Sequence, residues 1–317
     1  MIQTIILLLV GLALIVFGAD WLVDGASGIA RKLGISEFVI GLTIVGFGTS
    51  CPELVVSLTG ALAGSADISI GNVLGSNIFN TLLILGVTAL IMPLPITEAN
   101  RKIDIPLGIL VVAVFLLFGY SGKSVNMVEG IVFLLLFACY MYYCFKTGKV
   151  DGGQDSDELR QPLNIVKSIF LVLLGLAGLI VGGQWFVDSA QVIAKAAGVS
   201  DKFIAVTLLA GGTSLPELAT CIVAASKKKG QLALGNILGS NIFNILLILG
   251  CSALVTPLAF NSVTVVDASV LAISSFILLV SSHTGTKDLL DRWEGAILVA
   301  VWIAYFIWLF FNSSLPA

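Results

Sequence analysis

Charge is what this sequence has least of: 11% of its 317 residues are Asp, Glu, Lys or Arg, while 58% are hydrophobic. Soluble domains carry about 25% charged residues. So few charges cannot cover a water-facing surface, which excludes a soluble enzyme and leaves an integral membrane protein, whose lipid-facing surface needs almost none. The net charge is -3, and the basic residues sit in short clusters between apolar runs, so nothing tracks a phosphate backbone and no nucleic-acid partner is expected. A single histidine, His283, and five cysteines (Cys51, Cys139, Cys144, Cys221, Cys251) without Cys-x-x-Cys spacing indicate neither a zinc site nor a disulfide framework. No nucleophile and base pair, phosphate loop or cofactor motif appears, so neither an enzyme nor a cofactor is expected. The start, Met1, Ile2, Gln3, has no basic residue before an apolar stretch of more than fifteen residues. That is the wrong shape for a cleaved signal peptide, and the first segment is expected to be a retained span.

What is there is a series of long apolar runs. A helix needs ~20 residues to cross roughly 30 Å of hydrocarbon, and runs of that kind lie at 4–23, 36–62, 68–92, 103–120, 126–145, 164–184, 200–226, 231–256, 262–282 and 293–311. Period-two alternation is absent, so a β-barrel is rejected. The expected fold is an all-α membrane protein of ten transmembrane helices. Between the runs, Arg31, Lys32, Arg101, Lys102, Lys146, Lys149, Arg160, Lys167, Lys227, Lys228, Lys229, Lys287 and Arg292 fall on one side, and only Lys123, Lys195 and Lys202 on the other. The positive-inside bias puts both termini outside the cytoplasm. Residues 146–162, with Asp151, Gly152, Gly153, Asp155, Asp157 and Glu158, are then a short cytoplasmic linker.

The chain also repeats. A shift of 164 residues aligns Gly11 with Gly175, Trp21 with Trp185, Asp24 with Asp188, Glu53 with Glu217 and Pro93 with Pro257, without a gap. Gly71–Gly86 and Gly235–Gly250 agree at fourteen of sixteen positions. Residues 1–145 and 163–317 are therefore expected to be two five-helix repeats. Five spans is an odd number, so the second copy must enter the membrane inverted, the architecture of secondary transporters.

The most similar blocks are polar ones inside apolar runs. Gly48-Thr49-Ser50-Cys51-Pro52-Glu53 and Gly212-Thr213-Ser214-Leu215-Pro216-Glu217 each read as a broken helix, in spans 2 and 7. Proline removes a donor and disfavours helical geometry before it, and the glycine and hydroxyl residues tolerate the unwound turn. Carbonyls freed by the break serve a cavity, water or a cation. Glu53 and Glu217 decide the chemistry, because a mid-membrane acid costs on the order of 3 kcal/mol and two of them imply a cationic partner. Asn72, Ser76 and Asn80, and Asn236, Ser240 and Asn244, are spaced by four and form a polar stripe on one helical face toward the glutamates. Gly71 with Gly75, and Gly235 with Gly239, are spaced for close helix contact. Asn77 and Asn241 read equally as ligands or as an interhelix hydrogen bond. Asp20, Trp21 and Asp24, against Trp185 and Asp188, read as interfacial anchors.

Two carboxylates, the hydroxyl or carbonyl oxygens of Thr49, Thr213, Ser76 and Ser240, and the amide oxygens of Asn80 and Asn244 make a hard-oxygen set. Calcium takes six to eight such oxygens, while soft transition metals would want thiolate or imidazole. Several monovalent ions could occupy the same cage as one divalent ion, a physical basis for antiport. Two alternatives stay open: a proton-coupled exchanger of Ca²⁺ or another divalent ion, and a passive cation channel.

The motifs GTSCPE and GTSLPE, each followed by GNxLGSNIFN, resemble the two α-repeats of the sodium/calcium exchanger family, in its short prokaryotic-type form, within the cation/calcium antiporter superfamily. The resemblance implies exchange of Na⁺ for Ca²⁺ by alternating access, electrogenic, with the first and sixth helices sliding across a core of the other eight. It implies Glu53, Glu217, Thr49, Thr213, Ser76 and Ser240 as calcium ligands. Ser50, Ser214 and the carbonyls of Gly46 and Ala210 would join for sodium. Several members place an aspartate where this chain has Asn244, which weakens the case for potassium coupling. The short linker departs from animal exchangers, so regulatory calcium-binding domains are not expected. The partners implied are Na⁺, Ca²⁺ and the lipid bilayer, with no obligate protein partner, in a prokaryotic cell membrane.

Overall fold

The computed structural model describes residues 1–148, 164–197, 210–260 and 263–312. Most of the 146–162 linker and the first ten residues of the expected seventh span, 200–226, therefore lie outside the described residues. The architecture is helical apart from two short strand pairs in the loops, and the chain is a multi-pass integral membrane protein: seven helices among the described residues are long and apolar enough to cross a membrane, and one bent pair makes an eighth.

Helix α1, Ile2–Leu33, has 32 residues and ends where Gly34 turns left-handed at φ 64, its N–H returning to the Ala30 carbonyl. Helix α7, Ile165–Ala196, also has 32 residues and starts on the Asn164 side chain, which accepts from Val166 N–H. The apolar runs at 4–23 and 164–184 place both helices' ends too early. Polar residues such as Asp24, which pairs with Lys227, and Asp188, which is exposed, end an apolar run without ending a helix. The two helices pack antiparallel through glycines. A Cβ on Gly18 would lie 2.9 Å from the Gly175 carbonyl oxygen, one on Gly25 2.6 Å from that of Ser168, and one on Gly11 2.8 Å from that of Gly182. Such backbone contact leaves no room for a side chain.

The second span is broken as its sequence predicts. Helices α2, Glu37–Thr49, and α3, Cys51–Leu62, meet at Ser50 with a bend of 46°. In the second half, the short turn α8, Ala210–Gly212, and helix α9, Leu215–Ser226, flank Thr213 and Ser214. Helices α4, Asp67–Ile91, and α10, Gly230–Val255, run through the centre. Each widens into a π turn at its middle, Phe79–Ile84 and Phe243–Leu249, and α2 contains another at Gly41–Val45. None of these π turns was anticipated by the apolar periodicity, which one extra residue per turn barely disturbs. Helices α5, Asn100–Gly122, α6, Met127–Thr147, and α12, Arg292–Phe311, are full length. Helix α11, Val265–Ser281, has 17 residues and α9 has 12.

Two short antiparallel strand pairs tie the loops: β1, Leu94–Pro95, with β4, Leu289–Leu290, and β2, Ser124–Val125, with β3, Leu258–Ala259. Under the 164-residue shift β1 falls on β3 and β2 within one residue of β4, so the first pair maps onto the second. Each pair joins one half of the chain to the other.

Of the four glycines spaced for close contact, Gly235 and Gly239 meet the backbone of α2: an added Cβ would lie 2.2 Å from the Phe38 carbonyl oxygen and 2.3 Å from that of Leu42. Gly71 and Gly75 have no described atom within 4 Å of an added Cβ.

Candidate ion-binding site

The two breaks have the same local conformation. Ser50 sits at φ -83, ψ 6 and Ser214 at φ -89, ψ 7, the sparsely populated bridge region between helix and extended chain. Proline at the start of α3 and α9 (Pro52, Pro216) costs no helical hydrogen bond. Glu53 and Glu217 then fall in the first turn, where the helix N-terminus favours a carboxylate. Both are essentially fully buried.

The breaks face each other and exchange side-chain contacts. Ser50 Oγ donates to Glu217 Oε1 at 3.0 Å, and Ser214 Oγ donates to Glu53 Oε1 at 3.1 Å. From α4, Ser76 Oγ lies 3.5 Å from Glu53 Oε1, and from α10, Ser240 Oγ lies 3.5 Å from Glu217 Oε1 and 3.4 Å from the Gly46 carbonyl oxygen. The second oxygen of each carboxylate, Oε2, is buried with no hydrogen-bond partner among the described residues. A buried acceptor left unmade costs about 1–3 kcal/mol, and more when charged. No described lysine or arginine pairs with either glutamate.

The remaining expected ligands divide. Thr49 Oγ1 is 3.0 Å from the Val45 carbonyl oxygen and 3.2 Å from Asn236 Oδ1, while Thr213 Oγ1 is buried with no partner among the described residues. Asn80 is buried with neither its amide oxygen nor its nitrogen bonded among the described residues, and Asn244 Oδ1 is likewise unpartnered there. No described hydrogen bond joins Asn80 or Asn244 to a glutamate. Asn244 Nδ2 donates instead to Asn77 Oδ1 at 2.9 Å. Ala210 opens α8.

Asn77 and Asn241 make the interhelix bonds: Asn77 Nδ2 donates to the Asn241 carbonyl at 3.1 Å and Asn241 Nδ2 to Thr81 Oγ1 at 2.8 Å. Asn72, assigned to the stripe toward the glutamates, spends its amide on the Glu53 backbone carbonyl at 3.1 Å and on Ser57 Oγ at 3.0 Å. Its counterpart Asn236 donates to Cys221 Sγ at 3.3 Å. The sequence reading omits Ser57 and gives Cys221 no part in the site, although both follow the two glutamates by four residues on the same helical face. Asp20 and Asp24 are not bare interfacial anchors, because both pair with Lys227.

Beside the breaks, a cleft of about 310 Å³ is lined by Cys51, Pro52, Thr213 and Pro216 at the turns and by residues from Leu179 to Gln191 of α7. It follows the C-terminal half of α7.

Residues 3–146 and 167–311 match the family described as sodium/calcium exchanger protein. The chain belongs to that family. The exchanger is thus a transporter. CaxA of Alkalimonas amylolytica, an antiporter by name, is 41% identical over 319 residues covering 96% of this chain and 98% of that protein. The sodium/calcium exchanger MaX1 of Methanosarcina acetivorans is 36% identical, with 96% and 98% covered. Among solved structures, the sodium-calcium exchanger NCX_Mj in crystals soaked with Na⁺ and Ca²⁺ superposes on the exchanger with a TM-score of 0.85 at 34% identity, over 100% of both chains.

Proposed function

We propose that the exchanger is a secondary antiporter that moves Ca²⁺ against Na⁺ by alternating access. The observation that carries this reading is the crosswise pair of glutamates, each bonded through Oε1 to the serine of the opposite break and each keeping a buried, unbonded Oε2. Two carboxylate charges neutralise one divalent ion, and the surrounding oxygens of Thr49, Thr213, Ser76 and Ser240 bring the donors toward the six to eight that calcium takes. With Ser50, Ser214 and the carbonyls of Gly46 and Ala210, and with Asn80 and Asn244 at hand, the same cage serves several sodium ions one at a time or together. Ions that compete for one cage cannot cross together, and competition of this kind is exchange. Several sodium ions carry more charge than one calcium ion, so the cycle is electrogenic and feels about 2.3 kcal/mol per net charge per 100 mV.

The repeat supports two inverted five-helix units, residues 1–145 and 163–317, joined by the cytoplasmic linker 146–162, ten spans in all, with α1 and α7 as the moving pair. The asymmetry of Lys and Arg supports both termini outside the cytoplasm. A prokaryotic cell membrane fits this, and the relative YrbG of Escherichia coli, 36% identical, is named an inner membrane protein.

In proteoliposomes, calcium uptake is expected to require an opposing sodium gradient and to vanish in Glu53→Gln or Glu217→Gln. Uptake at full rate without sodium rejects the reading. Uptake driven by a pH gradient alone assigns the coupling to protons, and unitary currents replace exchange by a channel.

A further inference from the structure

The two halves differ in charge at the turn that follows the broken span. The turn after α9 carries Lys227, Lys228 and Lys229, where the turn after α3 carries Ala63, Gly64 and Ser65. The backbone is the same: Gly64 has φ 74 and Lys228 φ 60, so a lysine occupies a left-handed position that the first repeat gives to glycine, at a cost in strain. The side chains on either side reach α1. Lys227 Nζ lies 2.7 Å from Asp20 Oδ1 and 2.7 Å from Asp24 Oδ1, and also 3.3 Å from the Asp20 carbonyl oxygen. Lys229 Nζ lies 2.6 Å from Ser27 Oγ and 2.9 Å from Glu37 Oε1 at the start of α2.

Under the 164-residue shift, Asp20 corresponds to Gln184, Val23 to Val187, Asp24 to Asp188 and Ser27 to Gln191. The second members of these pairs all line the cleft along α7. The first members lie along the same stretch of α1, where Val23 and Ser27 have no exposed surface and Asp20 and Asp24 are held by Lys227. Because α1 and α7 run antiparallel, the cleft and the lysine clamp sit at opposite faces of the membrane. No described residue pairs with the Asp188 carboxylate, and its counterpart of Lys227 is Ala63.

We propose that Lys227, with Asp20 and Asp24, is a one-sided latch that holds α1 against the α9–α10 turn and biases the exchanger toward the conformation with its cleft open along α7. This rests on the alternating-access reading above. If α1 and α7 slide together so that the cleft closes along α7 and opens along α1, Asp24 must leave Lys227, and Asp188 arrives at the uncharged Ala63. The symmetric cage gives the two conformations like binding sites, and the latch makes their energies unequal. Its partners are 26–45% exposed, so each bond is modest, and together they shift the equilibrium by about fivefold.

The minor conformation reports such a shift in full, because its population changes by the whole factor. Val23→Cys, the counterpart of cleft-lining Val187, is the probe. A membrane-impermeant maleimide is applied to inside-out vesicles and its attachment is read by peptide mass spectrometry, with native Cys51 in right-side-out vesicles as the check that each variant keeps a folded cleft. Lys227→Gln is expected to raise alkylation at position 23 by about fivefold, and Lys227→Asp combined with Asp24→Lys to return it to the starting rate. An unchanged rate in Lys227→Gln, or a charge exchange that fails to restore it, overturns the latch. If alkylation at positions 23 and 51 ignores Na⁺ and Ca²⁺ even with Lys227 present, alternating access itself is wrong and the latch falls with it.

Discussion

The first and second halves of the exchanger agree where ions are expected to bind and disagree where the protein meets water. At the breaks, the serine of one half bonds the glutamate of the other at 3.0 and 3.1 Å, and the supporting serine stands 3.5 Å away in both. At the turns 10 or more residues further on, one half has three lysines and the other none. A cage shared by two conformations gains from symmetry, whereas topology and conformational bias require a difference between the faces. The glutamates give the sharpest test of that comparison. Glu53→Gln and Glu217→Gln are each expected to weaken calcium binding by at least about a hundredfold, since each removes half the cage's charge from a desolvated site. Equilibrium calcium titration of the purified exchanger measures it. A large loss in one variant and little in the other would mean that the halves do not share one site.

The next effect concerns stability. A Cβ on Gly25 would press to 2.6 Å from the Ser168 carbonyl oxygen and 2.8 Å from Val172 N, whereas one on Gly183, on the partner helix, meets nothing within 4 Å. Gly25→Ala is expected to cost about 1–3 kcal/mol through overpacking of α1 on α7, and Gly183→Ala to cost little. Thermal unfolding followed by aggregation in detergent distinguishes the two. Equal melting of both variants would show that the glycine seam is not tight.

Ser50→Ala and Ser214→Ala come third. Each removes one hydroxyl donor from a carboxylate, worth about 1.5–3 kcal/mol when the acceptor is charged, so calcium affinity is expected to fall by at least about tenfold in either. Because each serine serves the glutamate of the other half, Ser50→Ala combined with Glu217→Gln should add little to Glu217→Gln alone, while Ser50→Ala with Glu53→Gln should lose more than either. A double-mutant cycle with the opposite pairing would rule out the crosswise arrangement.

Much of this was legible in the sequence, for identifiable reasons. The repeat, the apolar runs and the mid-membrane Pro and Glu are strong signals, because lipid tolerates little polarity without a use. Other features leave no mark on hydropathy. The π turns of α4 and α10 change the pitch by a fraction of a turn. The extra turns of α1 and α7 lie beyond Asp24 and Asp188, where an apolar run has already stopped. The pairing of Lys227 with α1 joins residues 203 and 207 positions apart, and only the packing of α9 on α1 brings them together. The crosswise bonding of Ser50 and Ser214 is of the same kind: the residue types were evident, their partners were not.

The smallest difference between the halves lies behind the cage. Asn72 donates to Ser57 Oγ at 3.0 Å and to the Glu53 carbonyl, while its counterpart Asn236 donates to Cys221 Sγ at 3.3 Å and receives Thr49 Oγ1 at 3.2 Å. Sulfur is the weaker acceptor, so the second half holds its asparagine less firmly. Cys221→Ser makes the halves alike at this position: its hydroxyl can accept from Asn236 and donate to the Ala233 carbonyl, now 3.7 Å from the thiol. A neutral hydrogen bond adds about 0.5–1.5 kcal/mol, and only part of that reaches the ions through Asn236 and Thr49. Calcium affinity is therefore expected to rise by about twofold in Cys221→Ser and to fall by a like factor in Ser57→Cys. If Cys221→Ser weakens binding, the thiol is there for the shape it gives α9 against α10, and the asparagines support the cage by packing instead of by hydrogen bonds.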